Sequence, residues 1–82
     1  MAQEQITLEV ATPNGVFTGT FPKTTKVGEV IDTVVEDRQL AAGDSFEIVH
    51  DGEVLQPEQR TLVSFGLTGT VLLELVATGS GV

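Results

Sequence analysis

Residues 6–10, Ile-Thr-Leu-Glu-Val, alternate strictly between apolar and polar, the period of two that marks a strand with one buried face. Ile6, Leu8 and Val10 are expected to point inward. Thr12-Pro13-Asn14-Gly15 follows, and its Asn-Gly pair tolerates positive φ at low cost, which predicts a reversal into a hairpin. The returning strand is expected over 16–21, with Phe17 and Phe21 on one face and Gly19 between them. The missing side chain there either admits a large neighbour or marks a bulge. After Pro22 the period changes, and Val27, Val30, Ile31, Val34 and Val35 recur at helical spacing, the stripe of an amphipathic helix. Thr24 or Thr25 is the candidate N-cap, while Glu29, Asp32, Glu36 and Asp37 fall on the opposite, solvated face. Valine is a poor helix former, so this helix is expected to depend on covering a sheet more than on its own propensity.

Beyond the break at Ala41-Ala42-Gly43-Asp44, the run Phe46–His50, the pair Asp51-Gly52 and the run Glu53–Leu55 predict a third strand, a tight turn and a short fourth strand. Residues 56–69 hold Pro57, Gly66 and Gly69 and are expected to be irregular, with Leu62, Phe65 and Leu67 pinning the loop to the core. Thr70–Val76 ends the pattern as a strand whose Val71, Leu73 and Leu75 make one apolar face. Strand, strand, helix, strand, short strand, strand is the order of an α+β fold, a mixed sheet of four to five strands with one helix packed across it. The folded domain is expected over 1–76 and a flexible tail over 77–82, Ala-Thr-Gly-Ser-Gly-Val, whose small residues favour mobility.

Composition narrows the function more than the fold. At 82 residues there is room for one domain, and without cysteine it has no disulfide, thiolate metal site or cysteine nucleophile. The N-terminus, Met-Ala-Gln-Glu-Gln, lacks the basic-then-apolar order of a signal peptide, and no apolar run reaches membrane-spanning length; the expected location is cytoplasmic. Twelve acidic against four basic residues give a formal charge of −8, which opposes nucleic acid and anionic lipid as partners. His50 before Asp51 has no companion histidine or cysteine to complete a catalytic or metal set, and Glu36, Asp37 and Asp44 lack the spacing of a calcium loop. Gly79-Ser80-Gly81 is followed by no helix, so it cannot cradle a phosphate. The chain is expected to be a monomer with no cofactor and no catalytic residues.

Over residues 6–81 this order and spacing resemble ubiquitin and its β-grasp relatives. Thr25-Lys26-Val27-Gly28-Glu29-Val30 looks like that family's helix start, and Asp51-Gly52-Glu53-Val54-Leu55 looks like its turn into the short fourth strand. The most specific stretch is Arg60-Thr61-Leu62-Val63-Ser64-Phe65-Gly66-Leu67, similar to the family's Arg-Thr-Leu segment with its aromatic and aliphatic anchors. The resemblance implies a protein modifier: an activating enzyme adenylates the C-terminal glycine carboxylate, a conjugating enzyme carries it on a cysteine, and a target protein receives it. Gly79 and Ser80 stand where ubiquitin has its terminal glycine pair, and Gly81 and Val82 follow. Because the diglycine is absent and a β-branched residue ends the chain, conjugation implies a processing peptidase that removes Val82 or Ser80-Gly81-Val82.

Val49 aligns with the central isoleucine of ubiquitin's apolar patch, and Leu72 and Glu74 align with the patch's histidine and valine. Together with Val76 they form the expected partner-binding face. A partner must desolvate Glu74 there, which selects one that carries a basic group. The only lysines are Lys23 and Lys26, so chains of the modifier would grow on these two or on a non-lysine acceptor. The compact acidic domain and unusual tail point to a prokaryote-type, bacterial system. Two other readings stand beside the modifier: a non-covalent β-grasp interaction module, and a sulfur carrier whose terminal glycine becomes a thiocarboxylate. The ubiquitin-like 60–67 segment favours the modifier over the carrier.

Overall fold

The computed structural model describes residues 5–40 and 45–79. Strand β1 spans Gln5–Thr12, β2 Gly15–Pro22, helix α1 Val27–Asp37, β3 Ser45–His50, β4 Glu53–Val54 and β5 Thr70–Gly79. The strands form one sheet in the order β2-β1-β5-β3-β4. β1 and β5 run parallel in the middle, and the other neighbours are antiparallel, so the sheet is mixed, as the element order predicts.

Ile6, Leu8 and Val10 of β1, Ile48 of β3 and Val71, Leu73 and Leu75 of β5 are buried, and they meet Val27, Val30, Ile31 and Val34 of α1 in a single core. The helical stripe narrows at its end, because Val35 is only half-buried. No polar or charged side chain is buried among the described residues, so this core rests on apolar burial and backbone ladders, with no buried charge to offset.

Both hairpins follow from glycine, in different ways. At the first, Thr12 pairs with Gly15 and only the glycine takes positive φ, at 104°; Asn14 instead sends its side-chain amide across to the carbonyl of Arg38 at 2.9 Å. The asparagine thus satisfies an open carbonyl at the end of α1. At the second, Asp51 (φ 53°) and Gly52 (φ 85°) are both left-handed, the two-residue turn whose twist matches the strands it joins.

Three expectations need correction. The N-cap of α1 is Lys26, with no side-chain cap, in place of Thr24 or Thr25. The amides that open the helix find backbone partners in the 58–60 loop: Val27 N–H donates to the Arg60 carbonyl and Gly28 N–H to that of Glu58, each at 3.0 Å. The 56–69 segment is not wholly irregular, since Leu62–Phe65 forms a 3₁₀ turn closed by Gly66 at φ 78°. Leu62 and Leu67 are buried and Phe65 packs against the core, which gives the turn its anchors. The last strand is longer than expected, continuing to Gly79, with Ala77 opposite Phe46 and Gly79 opposite Ser45. Ala77, Thr78 and Gly79 therefore belong to the sheet, whereas Ser80, Gly81 and Val82 of the expected tail lie outside the described residues.

Candidate functional site

Buried Val71, Leu73 and Leu75 alternate along β5 with exposed Leu72, Glu74 and Val76, so the three exposed side chains stand on the face of the sheet away from α1. Val49 of β3 lies directly opposite Glu74. All four residues expected to form the partner-binding face are thus on one surface, with Leu72 68% and Val76 40% exposed.

The surface is wider than those four positions. β1 flanks β5 on its other side, placing Glu9 opposite Leu72 and Ala11 opposite Glu74. Val16, 60% exposed, is opposite Ala11 on β2, Val54 is opposite Val49 on β4, and Glu47 is opposite Val76 on β3. The alternation in β1 already marks Glu9 and Ala11 as outward. What sequence reasoning missed was the neighbour: a parallel β1–β5 pairing joins residues more than sixty positions apart, and no local pattern announces it. Beside Leu72 an open concavity of about 830 Å³ is lined by Glu9, Val16, Asp51, Gly66, Thr68 and Leu72 among others, wide enough for a partner's side chains.

The candidate lysines lie elsewhere. Lys26 is exposed at the start of α1 and is bridged through its backbone to Thr61, and Lys23, half-buried, accepts the Val63 amide with its carbonyl at 3.0 Å. Arg60 is beside them in the fold. Its guanidinium sits 4.2 Å over the Phe65 ring and donates to the Ser64 carbonyl at 2.7 Å, which fixes the 3₁₀ turn. Gly79, the first tail glycine, is at the rim of the sheet.

His50 is opposite Glu53 across the β3–β4 hairpin. Among the described residues no cluster of His, Asp and Glu could hold a metal ion, and none of their helices is long and apolar enough to cross a membrane.

No protein-family model matches the chain, and no curated protein matches its sequence. Its fold is nevertheless well represented among solved structures. A ubiquitin-like domain of an Arabidopsis thaliana protein superposes with a TM-score of 0.80 at 19% identity, covering 95% of this chain and 82% of that one. The ubiquitin of Caldiarchaeum subterraneum gives 0.74 at 20% identity over 99% of this chain and 100% of its own. A protein designed de novo from ubiquitin gives 0.78 at 19% identity with 99% and 100% covered. The chain has a ubiquitin-like β-grasp fold of the α+β class, one helix packed across a mixed sheet.

Proposed function

We propose that this protein is a ubiquitin-like modifier of a bacterial, cytoplasmic conjugation system, joined to target proteins through a C-terminal glycine. The observation that carries this reading is the course of β5, which brings Gly79 to the rim of the sheet opposite Ser45, immediately before Ser80-Gly81-Val82. A carboxylate must enter an activating enzyme to be adenylated, and residues without bulky side chains suit a narrow channel. Cutting after Gly79 would leave that carboxylate on a residue still paired in the sheet. Cutting after Gly81 adds two residues and about 7 Å of reach, so cleavage between Gly81 and Val82 is the favoured maturation step. Lys26, exposed at the helix start, is then the better acceptor of the two lysines for chain growth.

Intact-mass measurement after co-expression with the activating enzyme, conjugating enzyme and peptidase genes of the same genome tests the reading. The expected product ends in Gly81 and appears in higher-mass adducts that a Gly81→Ala variant forms poorly. An unchanged C-terminus with no adducts would overturn it. A non-covalent interaction module is the second reading, favoured by the exposed apolar face of β5, β1 and β2, which does not depend on the tail.

A further inference from the structure

Among the described residues Val16, Val63, Leu72 and Val76 are the exposed large apolar side chains, and all but Val63 are on the outer face of the sheet. Threaded between them are three carboxylates. Glu9 is opposite Leu72, Glu74 is opposite Ala11 on one side and Val49 on the other, and Glu47 is opposite Val76. No carboxylate faces another directly, so like charges avoid the closest pairings. Each is instead the diagonal neighbour of the next, about 8 Å away. Glu9, Glu74 and Glu47 thus form a row of about 16 Å crossing β1, β5 and β3 obliquely, with aliphatic side chains on both sides. None of the five strands contains a lysine or arginine, so the sheet supplies no permanently charged cation to this row.

We infer that this face docks a partner protein through an amphipathic helix bearing a row of arginine or lysine side chains flanked by aliphatic ones. The inference deepens the modifier reading by giving its recognition surface a partner chemistry, yet the face itself would serve the interaction-module reading equally. Charge complementarity selects the basic row: a partner that covers the exposed apolar groups must also desolvate Glu74, at the centre of the row, and an arginine opposite it offsets that cost with charge-assisted hydrogen bonds. Backbone chemistry selects the helix. A strand directs its N–H and C=O groups within the plane of the sheet, toward neighbours such as β2 and β5 on either side of β1 and β3 beside β5, so the face offers side chains only, and an incoming helix satisfies its own backbone. Cations at i, i+4, i+7 and i+11 of a helix lie on one side over about 16 Å, the length of the acidic row. The acidic side of α1 (Asp32, Glu36, Asp37) is also exposed, but none of the prominent exposed aliphatic groups lies on it.

Two synthetic helical peptides of identical composition test the proposal against the full chain, free and unconjugated, by isotope-labelled NMR titration. One carries arginines at i, i+4, i+7 and i+11 between leucines; in the other the same residues are shuffled so that the arginines encircle the helix. The first is expected to perturb amides of β1, β5 and β3, to bind about tenfold more tightly than the shuffled peptide, and to lose about tenfold in affinity as salt rises from about 50 to about 300 mM. The E9Q/E47Q/E74Q variant should weaken it at least tenfold, whereas D32N/E36Q/D37N, which removes as much charge from α1, should leave affinity within about twofold. Equal binding of the shuffled peptide, indifference to E9Q/E47Q/E74Q, perturbations centred on α1, or no binding at all would each overturn the inference. Because no activating enzyme and no cleaved tail are involved, these outcomes are independent of whether the chain is conjugated.

Discussion

Gly19 shows how much a single missing side chain can determine. The rings of Phe17 and Phe21 close over it, with centroids 6.2 Å apart, and a Cβ added at Gly19 would meet two Phe17 ring carbons at 2.9 Å. Of the two explanations offered by the sequence, close approach of a large neighbour is the one realised; β2 pairs with β1 in unbroken register through this point. Gly19→Ala gains some strand propensity but forces a buried ring from its place, and overpacking of this kind prevails. We expect a loss of about 1 kcal/mol in urea denaturation, with an unchanged m-value if the native state stays intact; a stabilised variant would refute the packing account. Asn14 taught the opposite lesson. Its type and position marked a turn, but its hydrogen bond to the Arg38 carbonyl spans twenty-four residues and could not be read from neighbours.

At the scale of elements, α1 exposes the boundary of sequence reasoning most clearly. Its existence and buried stripe were legible because five apolar residues recur at helical spacing, a signal repeated along the whole element. Its N-terminal cap was not, because the carbonyls that receive the Val27 and Gly28 amides belong to residues 58–60 and no local motif encodes them. The local contribution comes from Glu29, whose carboxylate accepts the Lys26 amide at 3.0 Å. Hence Thr24→Ala and Thr25→Ala should each change stability by no more than about 0.5 kcal/mol, as at an ordinary surface site, where loss of a true cap costs about 1 kcal/mol. Glu29→Ala should cost about 1 kcal/mol, losing both this hydrogen bond and a negative charge near the helix N-terminus. Thermal melts of the three variants decide the matter, and a larger loss at either threonine than at Glu29 would contradict it. The candidate face divides in the same way: alternation placed Leu72, Glu74 and Val76 together on β5, whereas Glu9 and Val16 joined them only through the pairing of distant strands.

Across the whole molecule, the same distribution of charge that suits the outer face to a basic partner works against the folded state. Twelve acidic residues face four basic ones, with carboxylates on the outside of the sheet and along the solvated side of α1. The carboxylates on the two outer faces are separated by the layer spacing of about 10 Å plus the side chains beyond each layer, roughly 20 Å in all, still inside the Debye length of about 30 Å at 0.01 M salt, so at low ionic strength each face repels the other through the domain. The exposed Asp37–Arg38 pair, at 3.1 Å, offsets little of this. Unfolding separates the charges, and added salt should therefore stabilise the native state by screening what compaction costs. We expect Tm to rise by several degrees between about 0.01 and about 0.5 M sodium chloride, since about 1 kcal/mol corresponds to about 4–8 °C in a domain of this size. Removing three of these acids in E9Q/E47Q/E74Q should shrink the rise, because less repulsion is left to screen. A Tm that fell with salt would mean that attractive pairs dominate, and the acidic face would then be a support of the fold instead of a surface held against it.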